Sequence, residues 1–457
     1  MFLLIGFLLF LLFGLLVSLL FLKQTHPLLR MGLSYLLGLG LTTIFMTFFL
    51  FEKIPINTLS LLLTLFFLDL LLFFWVHKGL FAFVRECQSF ISKKNLSIFE
   101  KATVGLLLFL CFYAIVVSLY WPVKDWDAIT LYDFRGKILS DIQGQERFMN
   151  FQLEGHYYGY PLLTSLSHAF VYILGGKNPL FLSGFFYICL ILVFYGSLRQ
   201  LVKRETALGA TVILALNFLF INHITTAYTN LPFAVYYAIG TILLYFWMIG
   251  KENGCLITAG LLMALSIWTR DYEPFWLGNF VILLIYCFLK KKIFYPLIFL
   301  GPILSTKLFW FDFRKKVVDF FVSNYLNKQV LIGLGQQEIN VLSSLVSFKI
   351  LDPTRLFRVI IFLNKAISPL FFPLLIAFVV FLILDIKAIL KDERKYIVLI
   401  IFANMFILFI GTLALSLTFP DWEKIPGSIE RLFMFFPFLI IFCGAITFEK
   451  IFLSNKK

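Results

Sequence analysis

The first 22 residues, MFLLIGFLLFLLFGLLVSLLFL, hold no charged side chain, and runs of this kind recur to the end of the chain. An α-helix rises about 1.5 Å per residue, so about 20 apolar residues cross a hydrocarbon layer about 30 Å thick. Runs near this length lie at 1–22, 33–51, 58–76, 102–120, 179–198, 207–222, 232–250, 255–268, 275–289, 293–310, 367–386, 396–418 and 431–448. Residues are 61% hydrophobic and only 14% charged, and a soluble fold of 457 residues has too little interior to hide such a composition. The sequence therefore predicts an all-α polytopic membrane protein with about 13 transmembrane helices. The first run lacks a basic leader and a small-residue cleavage site, so a retained helix is expected there rather than a signal peptide.

The formal charge is +14. Basic residues mark the breaks at Lys23 and Arg30, at Arg85, Lys93 and Lys94, and at Arg199, Lys203 and Arg204. They mark them again at Lys290, Lys291 and Lys292, at Lys387, Lys391, Arg394 and Lys395, and in the tail at Lys456 and Lys457. Placing all of these on the cytoplasmic side gives one alternation, with the N-terminus outside and the C-terminus inside. That scheme needs 161–175, PLLTSLSHAFVYILG, not to cross. Leu162, Leu166, Phe170 and Ile173 form a stripe, and Thr164, Ser165, Ser167 and His168 interrupt the apolar surface, so a helix lying on the interface is expected. Residues 121–178 then form one long outer loop with an amphipathic helix at each end.

Four parts follow: three accessory transmembrane helices over 1–101, a catalytic core over 102–310, a basic outer region over 311–366, and C-terminal transmembrane helices over 367–457. The basic region carries Arg314, Lys315, Lys316, Lys328, Lys349, Arg355, Arg358 and Lys365. It reads either as a loop solvated against anionic headgroups or as cations that hold a phosphate. No compact basic domain with interleaved aromatics is present, so no nucleic acid is expected as a partner; the bilayer is. The six cysteines show no CxxC spacing and read as small apolar packing residues.

Against this background five polar stretches stand out. VKDWDAITLYDFRGKIL, 123–139, follows an apolar run and carries Asp125 and Asp127. In an extended segment these acids point the same way and are spaced for a metal; on a helix they lie about 200° apart and cannot share one ion. No cofactor is required, and a divalent metal is left open. Asp127 near a helix start reads as a capping acid or as a general base at the membrane surface. EGHYYGYPLL, 154–163, brings His156 and Tyr160, an aromatic belt or a wall on which a sugar stacks. TTAYTNLPFAVYY, 225–237, puts Asn230 at a span end, and WTRDYEPF, 268–275, puts Arg270, Asp271 and Glu273 in a short turn. PDWEKIPGSIERLF, 420–433, carries Arg431. Charges this close to hydrocarbon are either self-neutralising helix ends or functional groups. The charge alternation sets all five stretches on the outer face.

Taken in order, these stretches resemble the GT-C superfamily of integral-membrane glycosyltransferases, the class of the protein O-mannosyltransferases and the lipid A aminoarabinose transferases. DWDAITLYDFRGKIL is similar to their acidic first-loop motif, and HYYGYPLLTSLSHAFVYILGG to the helix that follows it. AYTNLPFAVYYAIGTILLYFW resembles their A-x-x-D-x-P-L-A span, with Asn230 where an acid is common. MALSIWTRDYEP resembles a turn that often reads T-K-x-E-G, here one residue longer, and SIERLFMFFPFLI resembles a late S-x-x-R-L-L segment. The likeness covers residues 102–300 and the one late motif.

The resemblance implies a GT-C-like fold and a polyprenyl-phosphate sugar donor. It implies inverting transfer to a glycan, lipid or protein acceptor on the extracytoplasmic face. An acid of the first loop would act as base, Asp127 before Asp125. Substrate contacts would come from His156, Tyr160, Asn230, Arg270, Asp271, Glu273 and Arg431, with arginine suited to phosphate by its two-pronged geometry. Two other classes fit parts of the sequence. A lipid or solute transporter would carry ionisable groups and broken helices at mid-membrane. A non-catalytic relative or membrane scaffold would tolerate loss of both Asp125 and Asp127.

Overall fold

In a computed structural model, residues 1–92, 96–271, 274–324, 352–367, 371–418, 421–424 and 426–453 are described, and every regular element among them is helical. Ten helices are long and apolar enough to cross a membrane. The protein is a multi-pass membrane protein.

The chain opens with α1 (Phe2–Phe21), α2 (Pro27–Phe51), α3 (Thr58–Ser92) and α4 (Ile98–Tyr120). Local chemistry fixes their starts. At α2 the His26 ring accepts the Leu28 N–H and Pro27 opens the first turn. At α4, Ser97 and Glu100 cap each other's backbone N–H groups. The first two helices cross backbone to backbone: a Cβ at Gly14 would lie 1.9 Å from the Ser34 carbonyl oxygen, and one at Gly38 2.0 Å from that of Phe10. Such contact replaces the hydrophobic drive that lipid removes.

After a polar excursion the chain returns as α8 (Phe181–Leu198), α9 (Arg204–Ala215), α10 (Phe218–Asn222), α11 (Asn230–Met248), α12 (Gly254–Thr269), α13 (Phe275–Leu289) and α14 (Tyr295–Asn324). α2 packs on α8 and α11, where the Tyr35 hydroxyl donates to the Leu182 carbonyl and Tyr236 to that of Leu36, each at 2.8 Å. The segment 1–101 thus shares one core with the rest. Further on come α15 (Pro353–Ala366), α16 (Phe372–Lys391), α17 (Arg394–Thr418), α18 (Pro426–Leu432) and α19 (Phe435–Phe448).

Three of the apolar runs give helices shorter than the ~20 residues of a full crossing. The run 207–222 breaks, because the Asn217 side chain accepts the Leu219 N–H and caps a new helix. α12 has 16 residues and α13 has 15. The basic region 311–366 is not all loop either: α14 continues to Asn324, and 353–366 is helical. Lys328 and Lys349 lie outside the described residues. Buried polar side chains clamp α11, α13 and α17. The Tyr237 hydroxyl donates to Asn404 Oδ1 at 2.7 Å, and Asn279 donates to Thr241 Oγ1 at 2.8 Å.

One end of the bundle brings together Tyr132, Thr229 and Arg270 and, through Tyr228, Asp127 and Arg431; the other brings Lys23 to Glu252, Lys251 to Gln200 and Lys203 to Glu449.

Candidate functional site

The first of these ends holds the polar excursion between α4 and α8. Its first helix begins at Trp126, widens into a π-helical stretch over Ala128–Asp133, and tightens into α5 (Phe134–Leu139). α6 (Ile142–Met149), a short 3₁₀ turn (Gly155–Tyr158) and α7 (Leu163–Ile173) follow. α7 is buried from Leu163 through Val171, so it does not turn its polar residues to water as the sequence reading expects. Ser165 and His168 face inward and hold the neighbouring segments.

Arg135 is the centre of that hold. It is fully buried, and its guanidinium donates to Ser165 Oγ at 2.7 Å and to the carbonyls of Tyr157, Tyr160 and Pro161 at 2.7–2.8 Å. Burial lowers its pKa to about 10, which leaves it charged at neutral pH. Two residues earlier, buried Asp133 accepts from His168 Nδ1 at 3.2 Å, the Tyr172 hydroxyl at 2.5 Å and Lys137 Nζ at 2.8 Å. Burial alone would raise the Asp133 pKa; the three donors outweigh it and hold the carboxyl at about 2. The excursion is therefore a pre-set scaffold rather than a loose loop.

On this scaffold Asp125 and Asp127 bracket the exposed Trp126 at the helix start. Asp125 is half-buried, and its Oδ2 is shielded from solvent with no hydrogen-bond partner. Burial, with the charge of Asp127 added, raises its pKa against the pull of Lys124. Asp127 is exposed, and its side chain caps no helix. The Tyr228 hydroxyl sits against the Asp127 backbone N–H, and burial and the two nearby carboxylates raise its pKa. Over the ring of Tyr228, at 5.2 Å, lies the guanidinium of Arg431, which also donates to the Gly427 carbonyl at 3.1 Å and Ser428 Oγ at 3.3 Å. Arg431 has no carboxylate partner among the described residues. One tyrosine thus joins the first-loop acids to the late arginine.

The other sequence candidates fall around this centre unevenly. Tyr160 packs edge-on against Tyr132 at 6.0 Å, and the Tyr132 hydroxyl lies 3.4 Å from Thr229 Oγ1. Burial pushes the Tyr132 hydroxyl up to about 12, opposed by the charge of Arg270, which places Arg270 beside the same wall. Asn230 is buried in the first turn of α11, next to Thr229. Asp271 is engaged elsewhere: its carboxylate accepts from Lys307 Nζ at 2.6 Å and lies 3.7 Å from Arg314. His156 stands apart on the exposed side, 3.3 Å from Glu154. Glu273 lies outside the described residues.

Sequence reading passes over two residues here. Tyr228 stands inside the quoted TTAYTN stretch, but only a neighbour's acid gives it a role. Buried His223 donates from Nδ1 to the Leu219 carbonyl at 2.8 Å, which leaves Nε2 as a bare acceptor with no partner. Burial, with Arg431 adding to it, lowers its pKa to about 4, so the ring is neutral.

No protein-family description, curated protein or solved structure matches the chain. Chemically, the site offers a half-buried carboxylate with one shielded oxygen, a neutral imidazole acceptor, tyrosine walls and flanking arginines. Among the described residues no three His, Cys, Asp or Glu side chains gather as a metal set would.

Proposed function

We propose that this chain is a membrane glycosyltransferase of the GT-C type. It would move a sugar from a polyprenyl-phosphate donor to a glycan, lipid or protein acceptor on the extracytoplasmic face. One observation carries the reading: the Asp125 carboxylate, with a bare and shielded oxygen, meets across Tyr228 an arginine without a carboxylate partner. A base and a phosphate anchor within one side chain's reach suit a displacement in which a proton leaves one oxygen as charge builds on another.

In the proposed step the acceptor hydroxyl gives its proton to a first-loop carboxylate as its oxygen bonds to the anomeric carbon. The bond from that carbon to the lipid phosphate breaks on the opposite side, so the configuration inverts. The phosphate departs with the electron pair, toward Arg431 and Arg270. Burial favours Asp125 as the base, with Asp127 raising its proton affinity, whereas the sequence order put Asp127 first. The three shorter segments, α9 with α10, α12 and α13, complete thirteen crossings in this reading. The basic breaks at the other bundle end then lie in the cytoplasm, with the C-terminus.

The test is a transfer assay with purified protein and a polyprenyl-phosphate sugar. Asp125→Asn is expected to lose about 10²–10⁴ in rate while keeping its thermal stability, and Asp127→Asn to lose less. Full turnover by well-folded Asp125→Asn and Asp127→Asn proteins alike would end the assignment. A transport reading keeps one observation of its own. Asp69, inside α3, is buried with both carboxylate oxygens unpartnered. Transport of protons or solute into sealed vesicles that stops in Asp69→Asn would favour it.

A further inference from the structure

At the bundle end opposite the candidate active site lies a cavity of about 440 Å³, the size of small-ligand pockets. It is lined by Thr25, His26, Glu86, Ser89, Arg199 and Arg204 among others. Three elements build it: the connection from α1 into α2, the far end of α3, and the α8–α9 turn.

The chemistry of the walls is mostly that of donors. Thr25 is 3% exposed, and its hydroxyl has no hydrogen-bond partner. His26 accepts the Leu28 N–H at Nδ1 and caps α2. Arg199 donates to the Val202 carbonyl at 2.5 Å, stands near Tyr195, and has no carboxylate partner among the described residues. Arg204 is bound by Glu100. Glu86, the carboxylate in the wall, is bound by Arg30, a residue 2% exposed whose Nε has no partner. Counting these groups, three arginines face two glutamates, and the positive end of the 25-residue helix α2 adds to the excess. A buried hydroxyl without a partner beside cations can donate to an acceptor-rich group.

We propose that this cavity binds a phosphate-bearing anion at the end of the bundle remote from Asp125 and Arg431. The site stands independently of any transferase activity. Its level, at the junction of helix ends and connecting turns, is that of lipid headgroups, and the same donors would serve a phosphomonoester on a lipid or a free phosphate.

The experiment uses the full chain in nanodiscs of phosphatidylcholine, with and without phosphatidic acid, and in detergent with inorganic phosphate. Thermal unfolding and native mass spectrometry are the readouts. Phosphatidic acid is expected to raise the unfolding midpoint and to remain bound when phosphatidylcholine is stripped. A rise with inorganic phosphate would identify a soluble anion as the ligand instead. Arg199→Gln is expected to weaken the effective probe at least about tenfold, the effect of losing a charge-assisted bond. Thr25→Val, nearly isosteric, guards against a folding defect in that variant and is expected to weaken it several-fold. The proposal is overturned if neither probe moves the midpoint, or if both variants respond as the wild type does, which would mean general surface attraction.

Discussion

Replacing Arg135 by methionine tests how the candidate site is held. The guanidinium makes four hydrogen bonds, three of them to backbone carbonyls between 157 and 161. Each charge-assisted bond is worth about 1.5–3 kcal/mol net, so the four together give about 6–12. Keeping the charge out of water opposes this by several kcal/mol. Methionine restores the apolar stem but leaves the carbonyls without donors, and the balance is a loss of about 3–5 kcal/mol. The loss should fall locally, on the segment that carries Tyr160 to Tyr132. Amide hydrogen exchange over 155–163 is expected to speed up at least about a hundredfold, since 1.4 kcal/mol is a factor of about ten. Arg135→Lys should recover only part, because one ammonium cannot span the fork. Exchange over 155–163 unchanged in Arg135→Met, with the same unfolding midpoint, would refute the reasoning.

Asp133 gives a pH signature. Its carboxyl is held at about 2, below the ordinary value, so it contributes stability that is present above pH ~4 and lost as pH falls toward 2. Asp133→Asn should flatten the acid limb of a stability–pH profile by about 2 kcal/mol. Asn404→Leu removes two donor bonds and one acceptor from the buried clamp on α11, α13 and α17, and should cost about 1–2 kcal/mol by thermal unfolding. Gly38→Val meets the Phe10 carbonyl at 2.0 Å and should force α1 from α2, seen as poor yield of folded protein in detergent. A cysteine in place of Lys177 should react with a membrane-impermeant reagent from outside only; labelling from the cytoplasm would reverse the proposed sidedness.

Helices were legible because hydrocarbon leaves the backbone no other partner, and uncharged runs of the right length follow from that rule. What the runs hid was length. Asn217 cuts one by capping inside it, and α3 and α14 continue past the apolar stretch into charged sequence that still favours helix. In the site, the acids and Arg431 could be singled out because charge beside hydrocarbon is costly. Their mediator Tyr228 could not, since a tyrosine near a span end usually marks an aromatic belt. Arg135 and Asp133 stood two residues apart in an obvious motif, and helical periodicity turns them to different sides without naming what either one meets. Burial sends them to different partners, one to carbonyls and the other to His168, Tyr172 and Lys137. Asp69, inside a run, was passed over because the run as a whole is so apolar.

The shortness of α13 reaches beyond the protein. Fifteen residues give a rod about 22 Å long, against a hydrocarbon layer of about 30 Å. One side of it bears Val281, Leu284, Ile285 and Phe288, all well exposed. In the thirteen-crossing arrangement proposed above, surrounding acyl chains would have to compress or splay to meet that side, a hydrophobic mismatch of several ångströms. Compression would draw headgroups inward at the Phe275 end of the helix. An amphiphile diffusing in the leaflet would find its polar group lowered toward Arg270 before touching it, and the protein would favour thin bilayers over thick ones.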